Sequence, residues 1–193
     1  VGEFKEITTA SGIREGGRNP LFFDFDHDGD LDLLEMGKTA CLAYRNNGDG
    51  TFREQSVEMG LTANGELPAT DAAFADFDDD GDIDFVVARE KGGIVLWSNQ
   101  RHGRFSDITT ESGLTGVTSV SSVTAGDYNN DGFPDLFLAS PEGRPYLFTN
   151  KGNAVFEKPD NTEEMTTVLQ GLKGMDARFF DFDNDGYLDL LVV

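Results

Sequence analysis

The sequence is poor in cysteine, histidine and positive charge, and it contains no long hydrophobic run. Cys41 is the only cysteine, so no internal disulfide can form. It lies in the apolar stretch 40–44, which reads as the setting of a small buried hydrophobe rather than of a reactive thiol. No segment approaches the ~20 apolar residues of a membrane helix, so insertion in a membrane by that route is not expected. Fifteen Lys and Arg stand against 36 Asp and Glu, for a formal net charge of −21. With no basic patch in view, nucleic acid is excluded as a partner. The two histidines, His27 and His102, fall in turn-like segments, and the serines at 119, 121 and 122 form no nucleophile motif. The chain opens on a polar, strand-like segment without a signal-peptide pattern, and it has no Asn-x-Ser/Thr acceptor.

The acidity that is present is organised. Four nine-residue loops recur, DFDHDGDLD (Asp24 to Asp32), DFDDDGDID (Asp76 to Asp84), DYNNDGFPD (Asp127 to Asp135) and DFDNDGYLD (Asp181 to Asp189), and they hold half of the 36 acids. Each places a carboxylate or amide at places 1, 3, 5 and 9 and Gly at place 6. Calcium is a hard ion that takes six to eight oxygens, and alternate side chains of a short loop can supply them around a glycine turn. The expected ligands are Asp24, Asp26, Asp28, the carbonyl of Asp30 and Asp32 in the first loop, and Asp76, Asp78, Asp80, the carbonyl of Asp82 and Asp84 in the second. In the third they are Asp127, Asn129, Asp131, the carbonyl of Phe133 and Asp135, and in the fourth Asp181, Asp183, Asp185, the carbonyl of Tyr187 and Asp189. About four calcium ions follow, one per repeat. Without an ion the clustered carboxylates repel, so the metal is expected to be part of the fold. The third loop has the fewest charges and is expected to bind most weakly. Place 4, including His27, is expected to face solvent. An EF-hand would need Glu at place 12 and flanking helices; place 12 is Glu35, Val87, Leu138 and Val192, and strand-like runs follow every loop.

A period near 50 residues also governs a polar hairpin signal at Asn46, Asn99 and Asn150 and a Phe-led segment at Phe4, Phe52 and Phe105, diverged at Phe156. The second repeat reads as four strands, about 72–77, 83–88, 94–98 and 105–109, rich in β-branched and aromatic residues with Gly, Asn and Asp between them. No helix is expected. Apolar runs such as 31–34 and 85–88 suit strands covered on both faces, and the aromatics at place 2 (Phe25, Phe77, Tyr128 and Phe182) suit packing between neighbouring sheets. The fold class expected is all-β, a β-propeller-type array of four-stranded blades with about four repeats, approximately 4–51, 52–104, 105–155 and an incomplete 156–193. The Phe4 segment is expected to be an outer-edge strand. Because the last repeat stops after its second strand, the array is expected to belong to a larger propeller or to pair its open edges with another chain.

The linking phrases AYRNNGDGTFREQSVEMGL and LWSNQRHGRFSDITTESGL, in register with the four loops, resemble the FG-GAP/VCBS repeat family of integrin-α-like propellers, in a cartilage acidic protein-like pattern. The resemblance spans essentially the whole chain. It implies a calcium-binding β-propeller, usually of seven blades, with the ion in the loop between the first two strands of a blade. The function expected is a calcium-stabilised, non-enzymatic scaffold in adhesion, ligand binding or surface and fibre assembly, with a protein or glycan partner or self-assembly through open sheet edges. The alternatives are a calcium-dependent lyase or hydrolase on acidic polysaccharide, or an accessory repeat domain of a larger enzyme. Because such loops bind calcium at about 10⁻⁴–10⁻³ M, the expected location is extracellular, cell-surface or periplasmic.

Overall fold

A computed structural model of the chain describes residues 3–14, 17–36, 41–61, 69–89, 91–142, 144–158, 167 and 176–193. Among these, the chain forms consecutive antiparallel sheets. The first holds β1 (Arg18–Phe23), β2 (Asp32–Met36), β3 (Cys41–Asn46) and β4 (Phe52–Glu54), paired in that order. The second holds β5 (Ala69–Ala75), β6 (Asp84–Arg89), β7 (Ile94–Asn99) and β8 (Phe105–Asp107). The third holds β9 (Ser122–Gly126), β10 (Asp135–Ala139), β11 (Tyr146–Asn150) and β12 (Phe156–Glu157). The fourth is a two-stranded pair, β13 (Ala177–Phe180) with β14 (Asp189–Val192). Each acidic loop joins the first strand of a sheet to the second. This is the all-β array of four-stranded blades that the repeat implies.

The hydrophobic cores lie between sheets. Along β6, Phe85 and Val87 enter the core shared with the first sheet, while Val86 and Ala88 enter the core shared with the third. β7 divides the same way, with Val95 and Trp97 on one side and Ile94 and Leu96 on the other. Alternate residues of a strand point to opposite faces, so a blade between two neighbours needs an unbroken apolar run. β10 repeats the device, sending Leu136 and Leu138 back and Phe137 and Ala139 forward. The place-2 aromatics complete these cores. Phe25 meets Phe105 of the second sheet edge-on at 6.3 Å, Phe77 meets Phe156 of the third at 5.8 Å, and Tyr128 stacks over Phe179 of the fourth at 6.4 Å. Phe182 is 74% exposed, because no described sheet packs beyond it. Cys41 packs against the first core, and loss of water around it pushes its thiol pKa up.

Three expectations need correction. Leu31 is exposed and precedes β2, so the doubly covered run begins at Asp32. Phe4 is not in a strand and is fully exposed; no described third strand lies beside it to accept the pairing that a strand requires. The segment does contain a helix, α1 (Thr8–Ser11), a single turn too short to show a helical period in sequence. It ends on Gly12, with Ile13 N–H bonded to Thr8 O and Gly12 N–H to Thr9 O, the paired bonds of a Schellman cap.

The same cap recurs after β4 and β8. Leu61 and Gly60 bond back to Ser56 and Val57, and Leu114 and Gly113 to Thr109 and Thr110. Each capped turn then docks on the outer strand of the following blade: Phe105 N–H donates to Met59 O and Phe156 N–H to Ser112 O, both at 2.9 Å. The Phe-led segment therefore closes one sheet and clamps the next. Glycine is required at the cap, since Gly113 has φ +78° and an added Cβ would lie 2.8 Å from Phe156 O. Gly113→Ala should lower stability by at least ~1 kcal/mol, the order of the left-handed cost alone, read as a reduced midpoint in denaturant unfolding. An unchanged midpoint would show that the clamp does not support the array.

Candidate metal turns

All four acidic loops adopt one conformation. Place 4 is left-handed in each, with φ of 62° at His27, 60° at Asp79, 57° at Asn130 and 60° at Asn184, and place 6 is Gly at 89–95°. The place-1 carboxylate is fastened from within: in the second loop Asp76 accepts from Asp80 N–H at 3.1 Å and Gly81 N–H at 2.9 Å. Asp24, Asp127 and Asp181 accept the equivalent pair. The place-5 side chain accepts from the place-7 N–H, as Asp28 does from Asp30 and Asp80 from Asp82.

Place 9 is the pivot. Asp84 is buried, and its two oxygens accept from Phe77 N–H at 3.0 Å and Asn99 N–H at 2.8 Å. Asp135 does the same with Tyr128 and Asn150, and Asp32 with Phe25 and Asn46. Asp189 accepts from Phe182 N–H. The asparagine that ends the third strand was visible in sequence only as a turn signal. Its side-chain N–H₂ reaches the preceding blade: Asn99 donates to Phe25 O at 3.0 Å and Asn150 to Phe77 O at 2.9 Å. The recurrence of Asn46, Asn99 and Asn150 was the available clue, but a contact with a main-chain carbonyl leaves no residue pattern at its other end.

These bonds bring the carboxylates of places 1, 3 and 9 together. Oxygens of Asp24, Asp26 and Asp32 lie within 4.8 Å of one another, as do those of Asp76, Asp78 and Asp84, and those of Asp181, Asp183 and Asp189. The third loop has Asn129 in the place-3 position, so its carboxylates are Asp127, Asp131 and Asp135. Asp78 Oδ1 is buried with no hydrogen-bond partner in the protein, and it belongs to such a group. An orphaned carboxylate oxygen beside two other carboxylates is poorly placed unless a cation sits among them. The donors are all hard oxygens, and strands rather than helices flank them, so the set fits a divalent cation outside an EF-hand.

Place 4 is solvent-facing but not idle. His27 Nε2 lies 2.8 Å from Asp82 Oδ1 of the next loop, and Asn130 Nδ2 donates to Gly186 O of the fourth. Asp82, at place 7, is also 3.6 Å from Arg101. In the first loop, Arg45 of β3 contacts Asp26 and Asp28, a contact that sequence spacing did not reveal. Its counterparts before Asn99 and Asn150 are Ser98, which donates to Asp78 at 3.3 Å, and Thr149, which meets Tyr128 OH. A separate polar cluster joins blades at their first strands: Ser122 Oγ donates to Asp71 at 2.7 Å, and Asp71 also accepts from Val123 N–H.

This geometry defines a class: tandem four-stranded blades, each turned on an acidic loop and stapled to its neighbour. The FG-GAP-like repeat matches residues 76–138 and 127–192, and the chain belongs to that family. Mouse (Mus musculus) cartilage acidic protein 1 is 28% identical over 160 residues, covering 77% of this chain and 24% of the relative. Rat (Rattus norvegicus) integrin alpha-7 is 29% identical over 138 residues, covering 62% of this chain and 12% of the relative. The chain thus spans a quarter or less of either of these relatives. Among solved structures, an Agrocybe aegerita lectin that recognises non-reducing terminal N-acetylglucosamine superposes with a TM-score of 0.52 at 23% identity, covering 96% of this chain and 48% of that one, which shows a shared fold.

Burial raises the carboxyl pKa of three place-9 aspartates, to about 6 for Asp32 and Asp135 and about 7 for Asp84, against backbone N–H bonds that lower it. The folded chain then holds protons that the unfolded chain has released between about pH 4 and 7. This contribution is present at low pH and lost as pH rises through the folded values. In chelator, the thermal midpoint should therefore rise as pH is lowered from 7.5 towards 5. Below about 4 the trend should reverse, as groups whose folded pKa is lowered, such as Glu54 and Asp49, become protonated. A midpoint that falls steadily from pH 7.5 to 5 without metal would contradict the desolvated state of these aspartates.

Proposed function

We propose that this chain is a calcium-stabilised, non-enzymatic β-propeller scaffold that acts in adhesion, ligand binding or surface assembly. The observation that carries the reading is the grouping of three carboxylates at the same place in the first, second and fourth blades, with Asp78 Oδ1 buried and unpartnered. Calcium would be held by places 1, 3, 5 and 9 and the place-7 carbonyl, one ion per turn and about four in all. Those residues are Asp24, Asp26, Asp28, Asp30 and Asp32; Asp76, Asp78, Asp80, Asp82 and Asp84; Asp127, Asn129, Asp131, Phe133 and Asp135; and Asp181, Asp183, Asp185, Tyr187 and Asp189. The loop carboxylates are fastened by backbone N–H groups on one side, which leaves them disposed for static coordination rather than for proton transfer.

Calcium at the millimolar level suits an extracellular, cell-surface or periplasmic setting, and the match to an integrin alpha chain accords with that. The partner would be a protein or a glycan. The adhesive reading gains from the integrin match, and the glycan reading from a lectin with the same fold. No helix among the described residues is long and apolar enough to cross a membrane.

The test is thermal unfolding with and without calcium, paired with calorimetric titration. Calcium at ten to a hundred times its dissociation constant adds about 1.4–2.7 kcal/mol per site. For a chain of this size each kcal/mol is worth about 2–4 °C. The midpoint should therefore rise by about 3–11 °C for each ion bound in 10 mM calcium and return in EDTA, with Asp84→Asn losing part of the gain. Identical melting curves in calcium and EDTA, with no binding heat, would reject the calcium role.

A further inference from the structure

We propose that Arg45 is a built-in counter-ion that sets the first turn apart from the second, weakening its hold on calcium and bracing it when no metal is bound. The inference rests on the calcium reading of the turns, and it ranks sites that sequence counts alone would treat alike. The first and second turns each carry four carboxylates at places 1, 3, 5 and 9. Only in the first does a guanidinium contact the side chains at those places; in the second, Arg101 lies 3.6 Å from Asp82, at place 7. Arg45 Nε lies 2.5 Å from Asp26 Oδ2, a charge contact without hydrogen-bond alignment, and Nη2 donates to Asp28 Oδ2 at 2.8 Å. The residue in that position of the second turn is Ser98, a neutral hydroxyl 3.3 Å from Asp78. The second turn consequently keeps an unpartnered carboxylate oxygen, Asp78 Oδ1, while Asp26 and Asp28 are both partly neutralised.

Charge arithmetic then regroups the turns. With its Arg, the first turn presents a net −3 at the ligand places, the same as the third, where Asn129 replaces a carboxylate; the second and fourth keep −4. A dication arriving beside Asp24, Asp26 and Asp32 must also approach a fixed positive charge a few ångströms away, and a pair at that range is strongly repelled even at an effective dielectric of ~20. The guanidinium has room to move aside. It borders a cavity of about 390 Å³ between the first two blades, whose wall includes Glu58, His102 and Arg104. Glu58, which also meets Arg53 at 3.5 Å, supplies an acidic group towards which Arg45 can swing; Arg53, Arg104 and His102 temper the attraction.

Calorimetric titration of calcium into wild type, Arg45→Gln and Arg45→Lys decides the matter, with melting curves of each in EDTA. Arg45→Gln should gain one ion per chain in the tight class, its first-turn affinity rising about tenfold, and should melt lower than wild type in EDTA. Arg45→Lys, which keeps the charge, should titrate like wild type. Arg45→Met, a second neutral variant, repeats the measurement should Arg45→Gln fold poorly. Calcium binding that is identical in wild type and both neutral variants overturns the role of Arg45 while leaving the calcium reading intact. Absence of calcium binding in every variant removes both.

Discussion

The structure depends on a buried carboxylate at the start of the second strand of each of the first three blades. Asp32, Asp84 and Asp135 occupy positions where a charged group is disfavoured by loss of water, and each is held there by two backbone N–H donors from different segments. One donor fixes the acidic turn and the other fixes the end of the third strand. Two N–H bonds cannot fully replace hydration of a charge, particularly beside two more carboxylates. The remaining penalty is one that a divalent cation would relieve. A metal at such a turn would therefore do more than cross-link a loop; it would let the aspartate that organises three strands remain ionised.

That local arrangement becomes global through the asparagine beside it. The N–H of Asn99 holds Asp84, and its side chain holds the carbonyl of Phe25 one blade back. The ring of Phe25 is itself buried against Phe105. The acidic turn of one blade, the third strand of the next and the apolar core between them are thus joined through consecutive bonds of one pair of residues. Asn150 and Phe77 repeat the connection. The capped turns after β4 and β8 add a clamp on the outer side, so the first three blades are fixed at both edges of their shared cores. The array is stabilised mainly between blades, as expected where each sheet alone is too thin to form a core.

This explains what could be read from the sequence and what could not. The turns were legible because their conformation needs particular residue types at fixed spacing, acceptors at places 1, 3, 5 and 9 and Gly at place 6, and β6 and β10 were legible because burial on both faces demands an unbroken apolar run. Strand limits followed to within a few residues: β5 and β6 run Ala69–Ala75 and Asp84–Arg89, where the pattern suggested 72–77 and 83–88. Phe4 was misread because a strand is a property of a pair, and the segment alone does not reveal whether its partner is beside it. Leu31 was misread because membership of an apolar run does not show where the pleat begins. The roles of Asn99 and Arg45 were hidden for another reason. One bonds a carbonyl that every residue possesses, and the other reaches a turn 17 or more positions away through the third dimension.

The repeats are alike in backbone and unlike in charge, and the two facts have different origins. The turn conformation is set by hydrogen bonds from the loop to its own place-1, place-3, place-5 and place-9 side chains; an amide oxygen accepts at place 3 as a carboxylate does, so Asn129 is tolerated there, and place 4 takes His27, Asp79, Asn130 or Asn184. The field at the ligand places is set by whatever the neighbouring strand or the next loop contributes, whether Arg45, Ser98, or the His27 and Arg101 pair around Asp82. Backbone geometry can therefore stay constant along the array while the electrostatics of each turn is tuned separately. A repeat protein built this way can keep some blades braced by its own side chains and leave others to be completed by an ion.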